Sequence, residues 1–253
     1  MSTRRASGPS RSGRRRAKAG EAGARAARAE REAEAIEEGR RAYMARDFER
    51  ARALWLPLAE AGNAEAQAWV GSLHANGDGV EADAAAAFAW YLKSAEGRNV
   101  LAQSNVGAMY AMGSGVAQDM AEAVRWLRRA ARGGDANARF NLGVLYGQGN
   151  GVPRNNARAA EWYRKAAETG HYQSQARLGH MYLAGEGVKR DRVQAFLWLS
   201  LAARHGIGSA LTALEAVVKE MSSDEKAAGM RLVAQWRGRA DSEADVLIDP
   251  VPV

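Results

Sequence analysis

Four stretches of this 253-residue chain follow one 36-residue template. Gly71, Gly107, Gly143 and Gly179 stand 36 apart, and so do Trp90, Trp126, Trp162 and Trp198. The glycine pairs Gly77/Gly79, Gly113/Gly115, Gly149/Gly151 and Gly185/Gly187 keep the same period and lead into Val80, Val116, Val152 and Val188. A unit of this length is too small to bury its own apolar face, and buries it by stacking on its neighbours. The period therefore excludes a single globular core and requires an elongated array. Arrays of this kind mostly bind other proteins, so the period points to a class of activity without naming a partner.

Composition removes several alternatives. The absence of cysteine excludes disulfides, thiolate nucleophiles and cysteine-ligated zinc. No apolar run approaches the roughly 18 residues that span a bilayer. The first twenty residues carry no hydrophobic core and do not read as a secretory signal, so a cytoplasmic location is expected. Seven basic groups (Arg4, Arg5, Arg11, Arg14, Arg15, Arg16 and Lys18) and no acids lie in residues 1–20, while the rest of the chain carries 29 of each sign. The array thus reads as neutral, with the high isoelectric point placed in a tail. After Arg239 come Asp241, Glu243, Asp245 and Asp249 without a base.

These shifts divide the chain. Residues 1–20 read as a basic disordered tail. Residues 21–63 hold a helix rich in Ala, Glu and Arg, then a partial repeat in which Asp47, Ala51 and Ala59 lie 36 before Asp83, Ala87 and Ala95. Four full repeats run over 64–207. Residues 208–240 read as a closing helix pair, with Ser222 and Glu225 at capping-box spacing and Leu232 and Trp236 covering the last apolar face. Residues 241–253 read as an acidic disordered tail.

Residues 136–171 show how one repeat folds. Ala138, Leu142, Leu145, Tyr146 and Gly149 recur at helical spacing and define the buried stripe of a first helix, A. Gly143 on its edge is expected to let the second helix, B, approach opposite Ala159. Helix A should end near Gly147, and Gly149-Asn150-Gly151 should form the turn. Asp47, Asp83, Asp119, Asn155 and Asp191 all suit the N-cap of helix B. Trp162 reads as the wedge of helix B; burying 150–250 Å² is worth roughly 4–6 kcal/mol before entropy. Gly170 closes the repeat as Gly62, Gly134 and Gly206 do, whereas Arg98 breaks the rule and predicts a less sharp junction there.

The pattern Leu-Gly-x-Leu-Tyr, Gly-x-Gly-Val, a capping residue, then Ala-x-x-Trp-Tyr and a closing glycine resembles the Sel-one-like repeat family, a relative of the tetratricopeptide repeat. Residues 142–170 carry it nearly in full, and the match extends over about residues 43–240. His74 departs from it where other copies have Tyr110, Tyr146 and Tyr182, and Leu127 and Leu199 replace the second aromatic. The resemblance implies a right-handed, all-α solenoid of two-helix repeats that acts as a non-enzymatic adaptor or scaffold for protein complexes, with no cofactor.

By analogy with tetratricopeptide arrays, the side of helix A opposite the core stripe lines a concave groove. The candidate partner-binding residues on or beside it are Trp69, Asn105, Met112, Phe140, Asn141, Val144, Arg177, His180 and Leu183. Phe140, Val144 and Leu183 are apolar where a merely solvated face would be polar, which predicts a hydrophobic peptide-binding patch edged by Asn105, Asn141 and Arg177. The competing reading packs these residues against neighbouring A helices.

Other signals are weaker. His74, His171, His180 and His205 lack metal-ligand spacing, and His74 reads as core. The Gly-x-Gly turns follow helices and lack the Lys-Ser/Thr of a phosphate loop. Paired carboxylates such as Glu37/Glu38 lie on solvated faces. The basic tail offers an alternative function, contact with nucleic acid or an anionic membrane surface with the array as a spacer.

Overall fold

The computed structural model describes the backbone of residues 11–246 and the side chains of residues 22–236. The described residues form twelve α-helices and no strand. They divide into two compact units, residues 1–99 and 100–253, and the division falls between two repeats. The first unit holds α1 (Arg11–Met44), α2 (Phe48–Glu60), α3 (Ala64–Asn76) and α4 (Ala84–Glu96). The second holds α5 (Val100–Met112), α6 (Met120–Arg132), α7 (Ala136–Gln148), α8 (Asn156–Ala167), α9 (Tyr172–Ala184), α10 (Arg192–Ala203), α11 (Gly208–Glu220) and α12 (Ser223–Val246). Within each unit, the helices up to α10 pack successively as A–B hairpins and each B helix packs on the next A helix, while α11 and α12 both pack on α10 rather than forming a hairpin with each other.

The helix starts follow from local chemistry. The Asp83 carboxylate accepts the Ala85 and Ala86 N–H groups at 2.9 and 3.0 Å, and Asp119 repeats this with Ala121 and Glu122. Asp47, Asn155 and Asp191 cap their B helices in the same way. The predicted capping box of α12 is reciprocal: the Ser222 N–H donates to Glu225 Oε2 at 2.8 Å, and the Glu225 N–H to Ser222 Oγ at 3.2 Å. The A helices are capped too, by Asn63, Asp135 and His171.

A further recurring contact closes the preceding B helix. Gln67 Nε2 donates to the Ala59 carbonyl at 3.0 Å and Gln175 Nε2 to the Ala167 carbonyl at 3.2 Å. Arg139, at the equivalent position, reaches the Ala131 carbonyl at 3.3 Å. These side chains satisfy carbonyls that a helix end leaves without an intrahelical partner.

Several expectations are corrected. A Cβ on Gly143 would lie 2.5 Å from the Tyr163 ring, so this glycine faces Tyr163, while Ala159 faces Gly147. Gly71, Gly107 and Gly179 likewise lie against Tyr91, Leu127 and Leu199. The residue after the periodic tryptophan is therefore the one seated on helix A. Trp126 and Trp198 are buried, but Trp90 and Trp162 are half exposed and lie beneath the Lys93 and Lys165 ammonium groups. Helix α7 runs to Gln148, because the residue that turns the chain is Gly149, whose N–H returns to Leu145 O at 2.8 Å.

The Arg98 junction keeps the shape of the others. Arg98 adopts φ +67°, and its N–H bonds to Ala95 O at 3.1 Å, as Gly134 bonds to Ala131 at 3.3 Å. The backbone pattern overrides a residue preference worth about 1–2 kcal/mol. His74 is half-buried, and its buried Nδ1 has no hydrogen-bond partner. In the second unit its counterparts Tyr146 and Tyr182 accept hydrogen bonds from Arg128 at 2.8 Å and Arg164 at 3.0 Å. The residue in the Arg position before His74 is Leu56.

The tail boundaries also move. Helix α1 begins at Arg11, inside the stretch read as a disordered tail, and α12 extends to Val246, inside the stretch read as an acidic one. Both stretches are rich in good helix formers, which extend an existing helix at little cost. Arg4, Arg5 and residues 247–253 lie outside the described residues. Charge is also unevenly divided. Residues 21–99 carry ten basic and fourteen acidic side chains, and residues 100–236 carry seventeen and eleven. The neutrality of the array conceals an acidic stretch over residues 21–99 and a basic one over residues 100–236.

Candidate functional site

The nine candidate residues separate in the structure. Trp69 belongs to the first unit, where it stacks on Trp55 with ring centroids 4.8 Å apart and closes the Tyr43–Trp55 cluster. In the second unit, Met112 projects into solvent at the end of α5, 70% exposed, and Asn105 and Asn141 are half-buried. The remaining five come together. Val144, Arg177, His180 and Leu183 line a cleft of about 560 Å³ between α7 and α9, and Phe140, Arg177 and His180 line a second of about 470 Å³ that reaches Ile207 and Ser209. Because Arg177 and His180 border both, the two clefts form one groove across the A-helix side of the second unit.

The groove is mixed rather than simply apolar. Phe140 packs at 5.7 Å from the Tyr163 ring and 5.2 Å from His171, so it serves as a wall anchored to the core. Ala68, Ser104 and Ala176, the corresponding positions of other A helices, are buried between helices. The upper wall, Val144, Met181 and Leu183, remains half-buried and lines the cleft. Arg154, Arg177 and Glu186 supply charge, and Gln148 and Asn156 supply hydrogen-bonding groups. Burial holds the His180 imidazole below its ordinary pKa, and the Arg177 guanidinium lowers it further. His180 is therefore neutral near pH 7 and offers a donor and an acceptor rather than a charge. Burial also raises the Tyr163 phenol, against a smaller opposing effect of Arg177.

Arg154, Met181 and Tyr163 line the groove but were missed by a reading confined to the outer face of helix A. Arg154 is contributed by the A–B loop and Tyr163 by helix B, at the position that seats on Gly143. Only the pairing of Gly143 with Tyr163 could have signalled the latter.

A larger cleft, about 850 Å³, opens on the B-helix side between Arg164, Tyr182, Lys189, Arg190 and Arg192. Its cations are partly committed to acids, with Arg190 and Arg192 at 3.4 and 3.5 Å from Glu220 and Arg192 at 3.7 Å from Glu225. The groove's Arg177 and Arg154, by contrast, are in none of the ion pairs found among the described residues.

Below the groove, His171 caps α9. Its Nδ1 accepts the Ser174 N–H at 3.2 Å, and its Nε2 faces Asn137 Oδ1 at 3.3 Å. This set requires a neutral ring protonated on Nε2, and burial holds the pKa below its ordinary value against an opposing pull from Asp135. An imidazolium could not accept the Ser174 bond. A lowered folded-state pKa gives stability that is fully present above the unfolded value of about 6.5 and is lost as pH falls through the folded value. The cap is worth about 1 kcal/mol. His171→Asn, which accepts at every pH, is expected to reduce the loss of thermal stability between about pH 7.5 and pH 5. Superimposable melting-temperature profiles for the two proteins would refute this role; His180 shifts in the same direction and accounts for a remaining slope.

Comparisons with known proteins match this architecture. The Sel1 repeat model matches residues 33–63, 64–99, 100–135, 136–171 and 173–207, which turns the partial first repeat into a fifth copy. The structure of c5321, a protective antigen of uropathogenic Escherichia coli with an SLR fold, is similar at 32% identity and a TM-score of 0.71, over 81% of this chain and 45% of that one. This chain thus spans less than half the length of that protein. A Sel1 repeat protein from Oxalobacter formigenes is similar at 34% identity and a TM-score of 0.66, over 79% of this chain and 84% of that one. A Klebsiella pneumoniae protein described as a sel1 repeat protein shares the fold at 19% identity and a TM-score of 0.51, over 74% of this chain and 93% of that one. A comparison with curated protein sequences gives no match. Five successive helix hairpins, the seating of a helix-A glycine against a helix-B side chain in each, and these likenesses place the chain in the Sel1 repeat family, an all-α family of solenoid proteins that mediate protein–protein interactions.

Proposed function

We propose that this chain is a non-enzymatic adaptor that holds a peptide or protein partner in the groove between α7 and α9, within a regulatory complex. The observation that carries the reading is the convergence of Val144, Leu183, Arg177 and His180 on one open cleft. Apolar side chains there supply binding energy, and Arg177, neutral His180 and Asn156 supply orientation. No step of bond chemistry is needed.

Arg177 is exposed and Leu183 half-buried, so changing them perturbs the surface more than the core. Arg177→Glu combined with Leu183→Ser is expected to abolish capture of specific partners by the purified protein while its thermal midpoint moves by only a few degrees. Phe140→Ser is a poor probe, because Phe140 supports Tyr163 and His171. If the double variant retains every specific partner of the native protein, the groove is not the binding surface.

A further inference from the structure

The groove and the last helix belong to different helices of the second unit. Helix α12 packs on the B helix α10, where Trp236 meets Trp198 edge-on at 6.5 Å and Leu232 and Val233 join the same cluster. The groove is built from the A helices α7 and α9, the start of α8, and the entry to α11. Beyond Trp236, α12 continues for ten residues to Val246, about 15 Å of helix. It is followed by Leu247-Ile248-Asp249-Pro250-Val251.

That segment complements the groove in both charge and apolarity. It carries Asp249, follows Asp241, Glu243 and Asp245, and has no base after Arg239. The groove presents Arg154 and Arg177 against Glu186 alone, in a unit with seventeen basic and eleven acidic side chains over residues 100–236. Leu247, Ile248 and Val251 match the apolar wall of Val144, Met181 and Leu183. Pro250 and Pro252 restrict the backbone and lower the ordering cost of an extended ligand. Helix α12 is anchored on α10 and makes no comparable packing on α7 or α9, which favours the groove of another molecule over its own.

We propose that Leu247–Val251 of one copy docks in the groove between α7 and α9 of a second copy, with Leu247 and Ile248 against Val144, Met181 and Leu183 and Asp249 toward Arg177. The inference rests on the groove being a peptide-binding surface. The contact is heterologous, because groove and segment are different parts of the chain, so it propagates from copy to copy.

Complementary variants of the full-length chain test it. Leu247→Ser/Ile248→Ser keeps the groove and loses the ligand; Arg177→Glu keeps the ligand and alters an exposed groove residue. In sedimentation velocity from about 1 to 100 μM, the native chain should associate increasingly with concentration, and each variant alone should remain monomeric. An equimolar mixture of the two should form a heterodimer and grow no further. A labelled peptide of residues 243–253 should bind the Leu247→Ser/Ile248→Ser chain, and bind a chain that also carries Arg177→Glu at least about tenfold more weakly.

A native chain that stays monomeric, self-association that survives Arg177→Glu, or self-association lost on deleting residues 2–20 would each overturn the proposal. A random peptide library separates the two levels of argument. If it yields Arg177-dependent ligands while the 243–253 peptide does not bind, the groove reading stands and self-recognition falls. If neither binds, both fall.

Discussion

Replacing Trp55 by alanine should cost the first unit about 4 kcal/mol, the largest effect expected of any single substitution in the chain. Trp55 is wholly buried, its Nε1–H donates to the Ile36 carbonyl at 3.2 Å, and its ring stacks on Trp69. It also lies against Gly39, where a Cβ would come within 2.6 Å of Trp55 Cε2. The cavity left by truncation is bordered by α1, α2 and α3, whose helical backbones cannot collapse into it. Trp55→Phe keeps the stacking and much of the volume, so it should cost about half as much, mainly the hydrogen bond and part of the ring. Urea unfolding and amide exchange in α1–α3 provide the measurement. A Trp55→Ala protein with native exchange rates in those helices would contradict this account of the first unit.

Gly187→Ala should destabilise the second unit by about 3 kcal/mol or more, and Gly185→Ala by only about 1. Both glycines have positive φ, +73° at Gly185 and +68° at Gly187, so both substitutions meet the same backbone strain. They differ in surroundings. A Cβ on Gly185 would lie 3.5 Å from Arg190 Cβ, an ordinary contact, whereas one on Gly187 would overlap the Asn156 carbonyl group and lie 2.7 Å from Ala157 N. Those are backbone atoms in the first turn of α8, so relief requires moving a helix or a loop. At about 2–4 °C per kcal/mol, the thermal midpoint should fall by about 10 °C for Gly187→Ala and about 3 °C for Gly185→Ala. Equal shifts would mean that the second glycine of each pair serves the turn alone. The same contact recurs where Gly79 meets Phe48 and Gly151 meets Met120, each at the start of the preceding B helix. The second glycine is thus an inter-repeat contact, which explains why the pair, rather than one glycine, keeps the period.

Local chemistry was readable where it depends on neighbours in sequence. The five B-helix caps and the Ser222–Glu225 box required only a side chain and the N–H groups two or three residues on. The glycine–ring contact was harder, because its partner lies 20 residues away in a full repeat. Gly39 escaped notice because the first A–B connection spans residues 45–47, against 77–83 in the next repeat, so Gly39 stands 32 residues before Gly71 while Trp55 keeps its place 36 before Tyr91. The groove was legible only in part. Phe140, Val144, Arg177, His180 and Leu183 share a face that helical periodicity exposes, but Arg154 arrives from a loop and Tyr163 from the opposite helix.

By itself, the sequence determined the repeat, its register, its two-helix form and the caps, because each depends on a fixed spacing along one chain. Only the tertiary structure decided which tryptophans are buried, which glycines touch a neighbouring repeat and which candidate residues share a cleft. Those depend on how helices of successive repeats approach one another, and a few tenths of an ångström at Gly143 or Gly187 settle that approach. The place where the acidic stretch 21–99 gives way to the basic stretch 100–236 belongs there too: charge can be counted from sequence, but where the chain divides is set by packing.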